Sequence, residues 1–110
     1  MKIITLNSLK GGVGKTTLLY SITNELTKQK KKILLIDLDS QCNTSKLYDN
    51  EYNSKSNVYS MFTNKELNQN IIKINNNIDL IPGDIRVAFL NNELINVMQR
   101  ELILMKILKQ

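Results

Sequence analysis

Between the apolar run Ile3-Ile4-Thr5-Leu6 and an amphipathic stretch that starts at Leu18 lies Ser8-Leu9-Lys10-Gly11-Gly12-Val13-Gly14-Lys15-Thr16-Thr17. A strand that runs into closely spaced glycines and then into a helix turns several backbone N–H groups toward one point. It also aims a helix N-terminus at that point, so the segment is suited to hold an anion. Gly11, Gly12 and Gly14 let the backbone amides close in, and Val13 completes the turn between them. Lys15 can reach the β- and γ-phosphates of a nucleotide, the Thr16 hydroxyl can ligate magnesium, and Thr17 is expected at the α-phosphate. The expected ligand is therefore a nucleoside triphosphate with Mg2+. The general phosphate-loop pattern asks for glycine where Leu9 stands; Lys10 and the glycine pair after it keep the turn tight and add a second cation.

The remaining pattern is that of an α/β chain. Lys2 to Asn7 reads as a buried parallel strand. Lys15 to Gln29 reads as a helix with Leu18, Leu19, Ile22 and Leu26 on its buried face and Thr23, Asn24 and Glu25 facing out or sideways. Ile33-Leu34-Leu35-Ile36 is a second buried strand, ending in the polar segment Asp37-Leu38-Asp39-Ser40-Gln41-Cys42-Asn43-Thr44-Ser45. Ligands of open α/β sheets bind beyond the carboxyl ends of parallel strands, so this segment and the glycine loop are expected to share one edge. Lys46 to Asn57 lacks a clear period and reads as a mobile loop, and Val58 to Phe62 as a short helix. Ile71 to Ile74 reads as an edge strand, and Asn75-Asn76-Asn77 as the turn into a third parallel strand, Ile78 to Ile81, stopped by Pro82-Gly83. Asp84 is placed to cap a helix with Val87, Leu90, Leu94, Ile95 and Met98 on its apolar face, and Gln99 to Lys109 is a final helical stretch. The expected architecture is one domain over residues 1–110, three-layered, with a mostly parallel sheet.

Composition removes several chemistries. The chain has one cysteine, Cys42, and no histidine, which excludes an internal disulfide, multi-thiolate metal sites and histidine-dependent triads. Cys42 itself reads as an ordinary loop or packing residue. The formal charge of +5 comes largely from Lys28-Gln29-Lys30-Lys31-Lys32, which suits a solvated helix end better than a nucleic-acid surface. No apolar run approaches membrane-spanning length, and the expected location is cytoplasmic.

Lys10-Gly11-Gly12-Val13-Gly14-Lys15-Thr16-Thr17 resembles the deviant Walker A motif of the ParA/MinD superfamily of ATPases, whose extra lysine sits where Lys10 sits. Asp37-Leu38-Asp39-Ser40-Gln41 resembles the Asp-x-Asp-Pro-Gln segment of the ParA branch, with Ser40 in place of proline. Weaker similarity continues through Leu80-Ile81-Pro82-Gly83 and beyond. The resemblance implies a homodimer with ATP sandwiched between subunits, in which Lys10 crosses to the partner's nucleotide. It gives Asp37 the magnesium hydration shell and Asp39 the attacking water, so the implied catalytic residues are Lys10, Lys15 and Asp39. It also implies plasmid, phage or chromosome partition with a ParB-like partner protein, and nonspecific DNA binding in full-length relatives.

Two rival readings remain. One is a MinD-like membrane-cycling regulator, in which Met98 to Gln110 is an amphipathic membrane-targeting helix; a helix packed on the sheet is the preferred reading of that tail. The other is a non-catalytic remnant. The family continues into an apolar strand carrying Walker B, an aspartate before paired prolines, and this sequence has no such strand after Pro82. The expectation is therefore an N-terminal portion of an ATPase, weak or inactive in hydrolysis, lacking the strand that the family's sheet order places between Lys2–Asn7 and Ile33–Ile36.

Overall fold

A computed structural model describes residues 1–7, 14–48, 56–94 and 102–110. Its sheet has three strands, β1 (Ile33–Ile36), β2 (Ile72–Lys73) and β3 (Ile78–Ile81), in the order β1-β3-β2. β1 and β3 are parallel, with Ile33 opposite Ile78 and Leu35 opposite Leu80. A parallel pair needs a long crossover, and here it carries α2 (Asn43–Tyr48) and α3 (Val58–Asn64). β2 is antiparallel to β3, with Ile72 opposite Leu80, because only a short asparagine turn joins them. In that turn the Asn75 side-chain oxygen accepts from the amides of Asn77, at 2.8 Å, and Ile78, at 3.0 Å. The sheet is thus mixed.

Alternation along the strands divides the core between the two faces of the sheet. On one face Leu35, Ile78 and Leu80 pack with Leu19 of α1 (Lys15–Lys28) and with Tyr48 of α2. On the other, Ile81 joins Val58 and Met61 of α3, Leu67, and Ile103 and Ile107 of the C-terminal helix Ile103–Leu108, with Ile36 packed alongside. Helix, sheet and helix form three layers. The final helix, preferred above as a packed element, inserts Ile107 at 2% exposure. Fully burying side chains such as Leu80 or Met61 contributes about 1.5–3 kcal/mol each.

Three expectations change. Lys2 to Asn7 forms no strand, and Ile3 and Ile4 are 66% and 64% exposed. Among the described residues no strand pairs with residues 1–7, so this apolar run lacks the ladder that a buried parallel strand requires. The buried face of α1 is also rotated. Thr23 is 1% exposed while Leu18 is 52% exposed. Thr23 tolerates burial because its hydroxyl donates to the Leu19 carbonyl at 2.7 Å, satisfying the polar group within the helix. Finally, the stretch read as a loop from Lys46 begins inside α2, a six-residue helix too short to show an apolar period; residues 49–55 lie outside the described residues.

The remaining helices hold closer to expectation. The Asp84 carboxylate accepts from the Arg86 amide at 2.8 Å and starts a 3-10 segment, Ile85–Phe89, that runs into α4 (Leu90–Glu93). Residues 95–101, which include Ile95 and Met98, are outside the described set. The final helix is α5 (Ile103–Leu108).

Candidate functional site

The start of α1 is set by Gly14, whose φ of 82° lies in the left-handed region that favours glycine. Gly14 has no side chain to cap the helix and the first turn carries no acidic residue, so the N-terminal amides of α1 suit an anion. Lys15 opens the helix and its ammonium lies 3.1 Å from Asp39 Oδ2, a contact spanning 24 positions of sequence. The loop end and the β1 end therefore meet, as the strand-edge argument requires. Thr16 is half-buried and Thr17 exposed in the same first turn. Lys10, Gly11, Gly12 and Val13, also expected in the site, lie outside the described residues.

After β1 the chain folds through two successive aspartate turns. Asp37 Oδ1 accepts from the Asp39 amide at 3.2 Å, and Asp39 Oδ1 accepts from the Gln41 amide at 2.9 Å. The two carboxylates then differ in surroundings. Asp37 is 5% exposed, and its Oδ2 accepts from the Ser45 amide at 2.9 Å and from the Ser45 hydroxyl at 2.5 Å. Asp39 stays half-buried beside Lys15. Its pKa is held below the ordinary carboxylate value, chiefly by the Gln41 N–H bond, against an opposing push from burial, with the Lys15 hydrogen bond and charge adding to the lowering. Such a carboxylate accepts hydrogen bonds readily and takes up a proton reluctantly at neutral pH.

Cys42 sits at φ 58° where the turn enters α2, half-buried, with its thiol pushed up by burial and then by the nearby charges of Asp37 and Asp84. It acts as packing against the turn after β3: a Cβ added at Gly83 would lie 3.0 Å from Cys42 Sγ and 3.0 Å from the Asp37 carboxylate. Ser45 and Gly83 are the site residues that the sequence did not single out as such. The polar crowding from Asn43 to Ser45 was the available signal, but without α2 it gave no direction to any side chain.

Among the described residues no group of three or more His, Cys, Asp or Glu could hold a metal ion by itself. No helix among the described residues is long and apolar enough to cross a membrane.

Comparison with known proteins bears on this geometry. The AAA domain family matches residues 1–110. The sporulation initiation inhibitor protein Soj of Bacillus subtilis is 35% identical over 98% of this chain, which covers 44% of Soj, so the chain spans less than half the length of that relative. A plasmid partition protein of Borrelia burgdorferi superposes with a TM-score of 0.80 at 31% identity, over 98% of this chain and 49% of that one. Cobyrinic acid a,c-diamide synthase of Mycobacterium smegmatis, solved with a bound ATP analogue and magnesium, superposes with a TM-score of 0.84 at 28% identity, over 94% of this chain and 43% of that one. With both expected motifs in order and the whole described fold matched, the chain belongs to the AAA domain family and, within it, to the P-loop ATPases of the ParA/MinD type.

Proposed function

We propose that this chain carries the ATP- and Mg2+-binding portion of a partition ATPase, serving plasmid, phage or chromosome segregation through an ATP-dependent homodimer. The observation that carries the reading is the 3.1 Å contact of Lys15 with Asp39 at the uncapped N-terminus of α1. It brings a phosphate-binding cation and an acceptor carboxylate to one point from two separate motifs.

Bound Mg2+ would withdraw charge from the phosphate oxygens and template their geometry. Lys15 would bind the β- and γ-phosphates, the α1 amides would hold their oxygens, and the Thr16 hydroxyl and Asp37 carboxylate would face the metal and its waters. Asp39, kept ionised, would accept a hydrogen bond from the attacking water and orient it. Lys10 would act across the dimer, stabilising charge on the transferred phosphoryl group as an arginine finger does. A ParB-like partner and nonspecific DNA are the proposed macromolecular contacts, and the cytoplasm is the proposed location. Turnover by the 110 residues is expected to be slow, because no strand among the described residues pairs with the segment leading into the loop.

Lys15 cannot hold Asp39 and a phosphate equally well, which gives a direct test. An exposed ion pair contributes about 0.2–1 kcal/mol. Asp39→Ala is therefore expected to tighten ATP binding by up to about fivefold, measured by equilibrium titration, while lowering any hydrolysis. Unchanged or weakened binding in Asp39→Ala would count against Lys15 as the phosphate ligand. The membrane-cycling reading loses support from α5, whose apolar residues Ile103 and Ile107 are committed to the core.

A further inference from the structure

The Ser45 side chain ties three elements together inside the fold. Its hydroxyl donates to Asp37 Oδ2 at 2.5 Å at the end of β1 and accepts from the Gly83 amide at 2.6 Å just beyond β3, while Ser45 itself lies in α2. Ser45 is 7% exposed, Asp37 5%, and Gly83 is buried, so water does not substitute freely for any of these bonds. A carboxylate offers about four lone-pair positions. Ser45 fills both on Oδ2, through its amide and its hydroxyl, and the Asp39 amide takes one on Oδ1. What remains among the described contacts is one acceptor position on Oδ1.

We infer that Ser45 is a positioning residue: its hydroxyl, locked to the Gly83 amide, fixes the Asp37 carboxylate so that a single Oδ1 acceptor position is presented to the cation that accompanies the nucleotide. This rests on the ATP and Mg2+ reading above. Gly83 is the other half of the seat. A Cβ at this position would stand 3.0 Å from the Asp37 carboxylate carbon, from Oδ2 and from Cys42 Sγ, so the amide reaches Ser45 only because no side chain intervenes. Groups that orient a metal-facing carboxylate are worth about ten- to a hundredfold in metal affinity. A purely structural serine would instead alter stability without regard to the cation.

The test measures binding of a non-hydrolysable ATP analogue to the 110-residue chain, once with Mg2+ and once with EDTA, alongside thermal unfolding. Ser45→Ala is expected to weaken binding about tenfold or more with Mg2+ and to leave binding in EDTA unchanged, while Ser45→Thr, which keeps the hydroxyl, restores most of the Mg2+ effect. If Ser45→Ala does not fold, Ser45→Cys replaces it: the thiol is a weak donor of similar shape and must lose the Mg2+ effect that Ser45→Thr keeps. Wild-type binding that is Mg2+-dependent, with the same dependence in Ser45→Ala or Ser45→Cys, overturns this inference and leaves the functional reading standing. Wild-type binding that shows no Mg2+ dependence overturns both.

Discussion

Asp37 and Asp39 are two positions apart in sequence and end in different electrostatic settings, because the turn between them buries one and leaves the other beside Lys15. Asp39 gives a pH prediction whose sign follows from its depressed pKa. A carboxylate held lower in the folded chain than in the unfolded one contributes stability above about pH 4, and that contribution disappears as the pH falls through the folded value. Exposure and salt screening keep the contribution below about 1 kcal/mol. In urea unfolding, wild type is therefore expected to exceed Asp39→Asn by a small margin at pH 7 that shrinks steadily as the pH is lowered through the carboxylate range. A margin that stays constant as the pH falls would show that Asn destabilises through something other than charge. The sequence showed both aspartates and their order after an apolar strand. It could not show which is buried, since that depends on Ser45 and Gly83 arriving from elements 8 and 46 positions away from Asp37.

At the scale of elements, α1 shows both what periodicity reveals and what it leaves open. Its extent was legible, Lys15–Lys28 against an expected Lys15 to Gln29, because apolar residues recur at helical spacing and glycines precede it. Its facing was not, because spacing defines a stripe of burial candidates and only the partner decides which of them is covered. Here Tyr48 of α2 packs on the same face as Leu19, and the stripe shifts toward Thr23. The lysine run after α1 closes the helix. The Lys31 amide donates to the Leu26 carbonyl at 3.1 Å and the Lys30 amide to the Thr27 carbonyl at 2.9 Å, a Schellman pair that places Lys30 at φ 59°. A lysine in that conformation costs about 1 kcal/mol relative to glycine. Lys30→Gly is accordingly expected to stabilise the fold by about 0.5–1 kcal/mol in chemical unfolding, and a loss of stability would contradict this helix ending. Two asparagines also organise local structure: Asn57 Oδ1 accepts from the Ser60 amide at 2.9 Å to start α3, and Asn75 organises the turn between β2 and β3.

For the molecule as a whole, burial is concentrated around β3 and is slight over residues 1–7. Leu80 and Ile81 are fully buried on opposite faces of the sheet, whereas Ile3 and Ile4 are exposed. Leu80→Ala is expected to cost about 2–5 kcal/mol, and Ile3→Ala to stay within about 0.5 kcal/mol. Amides of residues 2–6 should exchange with solvent far faster than those of β3. Protection of residues 2–6 equal to that of β3 would mean that the first strand is formed after all. The parallel β1–β3 pair and the antiparallel β2 were legible from short apolar runs and turn residues, while the failure of the first apolar run to form a strand was not. A strand is a property of its neighbours, and Ile3-Ile4-Thr5-Leu6 has the composition of one without an adjacent partner.

The proposed function rests on Lys15, at the start of α1, as a phosphate ligand. The most direct test is equilibrium titration of the 110-residue chain with ATP in the presence of Mg2+, comparing wild type with Lys15→Ala. The expected result is saturable wild-type binding that Lys15→Ala weakens by about tenfold or more, consistent with losing a charge-assisted phosphate contact worth about 1.5–3 kcal/mol. Equal binding by the two proteins, or no wild-type binding at millimolar ATP, would contradict it.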